Sequence, residues 1–228
     1  MAGTLYIIST PIGNLEDISF RAIRILKEVT LIAAEDTRHT KILLNHYEIN
    51  TPLTSYHDFN KEDKTPVLIS RLKEGESIAL VSDAGTPTIS DPGFYLIRQA
   101  IIEEIPISPI PGPTAVIAAL SVAGLPTDRF IFEGFLPRKK GARTKRLIAF
   151  TEESRTLILY ESPYRIIGLL EDIHAVLGNR RIVLCRELTK KFEEIARGAV
   201  EDLLQNWKNK KILGEFTLVV EGMKTRAG

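Results

Sequence analysis

The stretch from Ser77 to Gly93 constrains this chain more than any other. It begins with an apolar run, Ile78–Val81, of the kind expected of a strand buried on both faces. It then changes to small and turn-forming residues, Asp83-Ala84-Gly85-Thr86-Pro87, where Gly85 has no Cβ and lets the backbone approach a ligand. Asp91-Pro92-Gly93 reads as a helix start, with Asp91 as N-cap and Pro92 at the first helical position. Strand, loop and helix in that order form the place where an α/β protein binds ligands, at the carboxyl end of its sheet. The loop runs nine residues from Ser82 to Ser90 and carries an acid near its start, which favours a binding loop over a tight structural turn.

The N-terminal segment repeats that pattern. Thr4–Ser9 is a short β-rich run, Thr10-Pro11-Ile12-Gly13-Asn14 a turn, and Ile18, Ala22, Ile25, Leu26 and Val29 recur at helical spacing. The turn lacks both the G-x-G-x-x-G of a dinucleotide fold and the G-x-x-x-x-G-K-[ST] of a P-loop, which argues against a nicotinamide-dependent oxidoreductase. A second apolar run, Leu31–Ala34, leads into Glu35-Asp36-Thr37-Arg38, which fits a capped helix start, a functional cluster, or both. Residues 51–66 read as a polar loop, followed by a helix from about Thr65 to Glu74. Prolines confine residues 105–110 to an edge strand or extended loop. After Pro111-Gly112-Pro113 a helix runs from Thr114 to Ala123, and Gly124-Leu125-Pro126 ends it. That boundary divides the chain into an N-terminal α/β domain, 1–124, and a C-terminal α/β domain, 125–228.

The second half restarts with a strand, Arg129–Leu136, followed by a loop in which six of the nine residues from 138 to 146 are basic. Formal net charge over the whole chain is +1, so any basic surface is local. The cluster Arg138, Lys139, Lys140, Arg143, Lys145 and Arg146 is the expected footprint of a phosphate-backbone contact. A strand at Thr156–Tyr160 ends in Glu161-Ser162-Pro163-Tyr164-Arg165 and precedes a helix to Leu177. Strands at 181–185, 195–200 and 214–220 and a short helix at 201–207 complete the chain. One cysteine, Cys185, permits no internal disulfide and fits a reducing cytoplasm. The four histidines lack metal-ligand spacing, so no metal is expected. Neither a signal peptide nor a membrane helix is expected, since no apolar run reaches the required length of about 18 residues.

These segments together resemble the small-subunit ribosomal RNA methyltransferases of the tetrapyrrole methylase superfamily. The motifs that carry the resemblance are Ser9–Asn14, Glu35–Arg38, Asp83–Pro87 with Ile89–Gly93, and Pro111–Ala115. Gly134–Arg138, Tyr160–Arg165 and Arg186–Lys190 continue it, in order, over nearly the whole chain. The resemblance implies two α/β domains with S-adenosyl-L-methionine in the cleft between them, usually in a homodimer. It implies 2′-O-methylation of a cytidine ribose in 16S rRNA of the small ribosomal subunit, in the cytoplasm. It also places Pro11, Gly13, Asp83, Ala84, Gly85, Thr86, Gly112, Thr114 and Ala115 around the cofactor, with Glu161 and Ser162 contributing from the second domain. Arg165 and Lys190, in the last two motifs, join the basic cluster as expected RNA contacts. Longer members continue into a helical extension, so RNA affinity here would lean more on the basic loop.

Methyl transfer from a sulfonium is an in-line displacement, so alignment of sulfur, methyl carbon and attacking oxygen comes first. Removing the proton from a ribose hydroxyl should help, and Glu35, Asp36, Glu161 and Glu187 are candidates for that base. Lys190 or Arg38 is an alternative stabiliser of a developing alkoxide. Rival readings are methylation of a tetrapyrrole or a protein side chain on the same fold, and a non-enzymatic RNA- or nucleotide-binding protein.

Overall fold

The computed structural model describes residues 2–223; the residues bearing on a C-terminal extension lie outside them. The chain divides into two compact units, Met1–Thr114 and Ala115–Gly228.

The first unit is built on a five-stranded sheet in which every pairing is parallel. Its strands are β1 (Leu5–Ile8), β2 (Leu31–Ala34), β3 (Leu53–Ser55), β4 (Ile78–Val81) and β5 (Ile107–Ile110). Their order is β3-β2-β4-β1-β5. Every residue of β2 and β4 is buried, as parallel strands covered on both faces require. Alternation along the strands sorts the core into two layers. Ile8, Ile32, Ala34, Ala79 and Val81 pack with α1 (Phe20–Glu28) and α2 (Thr37–His46). Leu5, Leu31, Ala33, Ile78 and Leu80 pack with α3 (Lys61–Lys73) and α4 (Phe94–Ile102). Pro109 sits in β5, an edge strand, where its missing N–H breaks no ladder between two neighbours.

The second unit carries α5 (Ala115–Ala123) and a five-stranded sheet of order β6-β7-β10-β8-β9. Its strands are β6 (Phe130–Phe135), β7 (Thr156–Glu161), β8 (Arg181–Arg186), β9 (Glu194–Ala199) and β10 (Phe216–Val220). Only β6 and β7 run parallel; the other pairings are antiparallel. One core joins Leu157, Leu159, Ile182, Leu184, Leu218 and Val220 to α6 (Lys140–Ile148), α7 (Ile166–Leu177) and α8 (Val200–Trp207).

Three sequence expectations are corrected. The segment 51–66 is not a loop throughout: β3 pairs with β2, and α3 begins at Lys61 with Pro66 inside it. Pro66 is the sixth residue of that helix, where its missing N–H costs one intrahelical bond, to the Glu62 carbonyl. Asp91 does not cap α4; Gly93 does, at φ +133°, a conformation that strains any residue with a Cβ. The helix 115–123 falls with the second unit. The basic run is mostly helical, since residues 140–148 form α6.

Candidate active site

Strand order explains why three separate loops form one surface. Because β4, β1 and β5 are adjacent, the segments that follow them leave the same edge of the sheet side by side. Thr10 and Gly85 exchange backbone hydrogen bonds, N–H to carbonyl, at 2.9 and 3.0 Å. The Thr10 hydroxyl donates to the Ser82 carbonyl at 3.1 Å, and the Ser9 and Thr86 hydroxyls are bonded at 2.8 Å. Thr86 Oγ1 also donates to the Pro113 carbonyl at 3.5 Å. Two glycines make this clasp possible. Gly85 holds φ +86°, and a Cβ on Gly112 would stand 2.9 Å from Ser9 Cβ. Pro11, Gly13, Asp83, Ala84, Gly85, Thr86, Gly112 and Thr114 therefore lie on or beside one clasp. Gly13, Ala84 and Gly112 remain exposed, leaving backbone open to a ligand. Ala115, Glu161 and Ser162 belong to the second unit.

Beside the clasp stands a group of carboxylates. Glu35 follows the last residue of β2, whose Ala34 pairs with Val81 of β4, and Asp83 follows just beyond Val81. The Asp36 N–H donates to Asp83 Oδ1 at 3.0 Å, and the Asp83 N–H donates to Glu35 Oε2 at 3.5 Å. Burial, and then the Asp83 charge, push the Glu35 carboxyl above the usual range, against the opposing bond from Asp83 N–H. Asp91 approaches the same group through a backbone in which Thr88 and Ser90 hold positive φ. Burial and then the Glu35 charge push its carboxyl up to about 6, despite a bond with Ser82. Asp91 is the site residue that sequence reading missed: its helix-start signal absorbed it as a cap, although a second acid eight residues after Asp83 was visible.

The remaining candidates are committed elsewhere. Arg38 grips Asp36 through Nε at 3.1 Å and Nη2 at 2.7 Å, and its N–H bonds the same carboxylate. Those bonds hold Asp36 well below the carboxylate range, so it caps α2 and makes a poor base. Glu161 is 1% exposed and pairs with Arg165 at 2.9 Å while accepting from the Ser162 N–H. Arg165 also donates to the Leu136 carbonyl at 2.7 Å. Lys190 bonds Glu187 at 3.0 Å and Glu215 at 2.9 Å. Burial opposes its charge, but the two carboxylates outweigh burial and raise it above the ordinary lysine value. Burial likewise opposes the Glu187 charge, yet the Glu215 N–H and Lys190 hold that carboxyl below its usual range.

The basic cluster divides in the same way. Arg143 is buried and donates to Asp172 at 2.7 Å, which removes it from any RNA surface. Arg146 is engaged by Glu133, at 2.6 Å through Nη2, and its guanidinium lies over Phe150. Arg138, Lys139, Lys140 and Lys145 are exposed.

A parallel sheet with a small-residue clasp at the carboxyl ends of its strands is the ligand-binding arrangement of an open α/β sheet. The family model "Tetrapyrrole (Corrin/Porphyrin) Methylases" matches residues 4–204, and the chain belongs to that family. Curated relatives are more particular. "Ribosomal RNA small subunit methyltransferase I" of Halalkalibacterium halodurans is 54% identical over 96% of this chain and 76% of its own length. The protein of the same name from Thermotoga maritima is 46% identical over 96% of this chain and 99% of its own. Among solved structures, a uroporphyrin-III C-methyltransferase from Thermus thermophilus, complexed with S-adenosylhomocysteine, aligns at TM-score 0.65. It covers 95% of this chain and 97% of that one at 17% identity, a likeness of fold.

Proposed function

We propose that the protein is an S-adenosyl-L-methionine-dependent methyltransferase of 16S ribosomal RNA, acting on the 2′-oxygen of a cytidine ribose. The substrate class rests on the relatives that share about half its residues and are named for small-subunit ribosomal RNA. The observation that carries the reaction is the three-loop clasp beside Glu35 and Asp83. The clasp fits the cofactor, since its glycines leave no side chain in the way and its exposed backbone offers donors and acceptors. Bound there, S-adenosylmethionine would supply an electrophilic methyl group.

The residues of this chain would do the rest. Ala84–Thr86 and Gly112–Thr114 hold the cofactor through backbone, and Asp83 opposes the positive sulfonium. Glu35 is the best-placed base: it bears no ion pair among the described residues, and its raised pKa moves it toward working pH. It would take the proton from the ribose hydroxyl as the new C–O bond forms. Arg138, Lys139, Lys140 and Lys145 would meet the RNA backbone. The reading carries a cytoplasmic location and, through the resemblance, a homodimer.

The test is transfer of labelled methyl from S-adenosylmethionine to 30S particles lacking the modification, with nuclease mapping of the label. Label on a cytidine 2′-oxygen of 16S rRNA is the expected result. Confirmed cofactor binding with no label in RNA would overturn the substrate and leave a protein or tetrapyrrole acceptor.

A further inference from the structure

A groove opens beside the clasp, between the turn after β1 and the exposed face of α2. Pro11 and Leu15 form one wall, and Ile42 faces them from the helix. Ile42 is 62% exposed, so its aliphatic side chain is open to whatever enters the groove. The polar lining comes from Thr10, His39, Thr40, Ser82 and Asp83. Thr40 is only 4% exposed, yet its hydroxyl has no hydrogen-bond partner among the described residues. A helical threonine ordinarily satisfies that hydroxyl on the carbonyl of the preceding turn. Here the Asp36 carbonyl receives the Thr40 N–H at 3.0 Å, and the hydroxyl is left over. Two apolar walls with a polar edge suit a flat heteroaromatic ring, stacked between aliphatic side chains and read along its rim.

We infer that this groove receives the base of the target nucleotide, a single pyrimidine, with His39 and Thr40 reading its polar edge. The inference rests on the RNA reading above and adds the substrate subsite to it. Pro11 and Asp83 belong to both groove and clasp, so a base seated here has its ribose at the cofactor loops and near Glu35. A ring drawn out of a stack would recover its lost stacking against Pro11, Leu15 and Ile42.

Two measurements test this. In the first, cytidine 5′-monophosphate is titrated into the protein with S-adenosylhomocysteine present, while the His39 ring resonances are followed by NMR. The groove predicts saturable His39 shifts that Ile42→Trp, which fills the groove from an exposed position, abolishes. Absent His39 shifts, or shifts unchanged by Ile42→Trp, would overturn it. In the second, Thr40→Val and Ile42→Trp are assayed for methyl transfer to 30S particles. Each should raise KM for the particle about tenfold while the S-adenosylmethionine Kd stays at the parental value. Thr40→Val should not lower Tm, because the hydroxyl it removes has no partner; a purely structural threonine would lose Tm and keep KM. Parental KM in both variants refutes the groove. A parent that methylates no RNA refutes the function instead, and the nucleotide titration still decides the groove.

Discussion

Replacing Asp91 with Asn should stabilise the protein at pH 8 and leave it unchanged at pH 4. The carboxyl is held at about 6 in the fold, against an ordinary 3.8. Its protonated form therefore contributes stability that is complete below about pH 4 and is lost as pH rises through about 6. At about 1.4 kcal/mol per pH unit, that displacement is worth about 3 kcal/mol. Asp91 is only partly buried, and solvent screening reduces the figure to about 1.5 kcal/mol. Asparagine has the shape of the protonated acid and can keep a bond to Ser82, so it escapes the loss. For a chain of this length the gain corresponds to a Tm rise of about 3–6 °C. Thermal unfolding of both proteins at pH 4 and pH 8 checks it. A gap that is the same at both pH values would refute the argument, because packing alone would then explain it. An Asn variant less stable at pH 8 would do so more directly.

Arg143→Ala should destabilise the second unit by about 3 kcal/mol, because it strands a buried Asp172 whose remaining cation, Lys140, stands 3.9 Å away; chemical denaturation measures this. Neutralising Arg138, Lys139 and Lys140 together should instead spare stability and flatten the salt dependence of RNA binding by about two units of slope. Equal slopes in filter-binding titrations would remove these residues from the RNA surface. Gly112→Ala places a methyl 2.9 Å from Ser9 Cβ, so S-adenosylmethionine affinity by calorimetry should fall at least about tenfold. Glu35→Gln should lower kcat by about 100-fold or more with cofactor affinity kept. In the parent, rate should fall as pH drops through the raised Glu35 pKa, because the base must be ionised; a flat profile would point to another base.

The β–loop–α periodicity, the small residues after β1, β4 and β5 and the basic residues Arg138, Lys139 and Lys140 were legible in the sequence, because each is a local choice of residue type. Burial runs such as Ile78–Val81 name a strand without reference to any partner. What the sequence could not supply was the order β3-β2-β4-β1-β5, and with it the fact that three loops far apart in the chain share one edge. Nor could it separate like residues by environment. Arg143 and Lys145 stand two apart, yet one is buried against Asp172 and the other exposed, because a helix of 3.6 residues per turn sends them to different faces. Glu35 and Asp36 are neighbours of the same charge, yet Arg38 claims one while burial and Asp83 raise the other. Local residue choice determined most of the elements, though not β3, which forms by pairing with β2, nor α6; pairing and desolvation, which act between residues distant in the chain, decided which acids and bases are available.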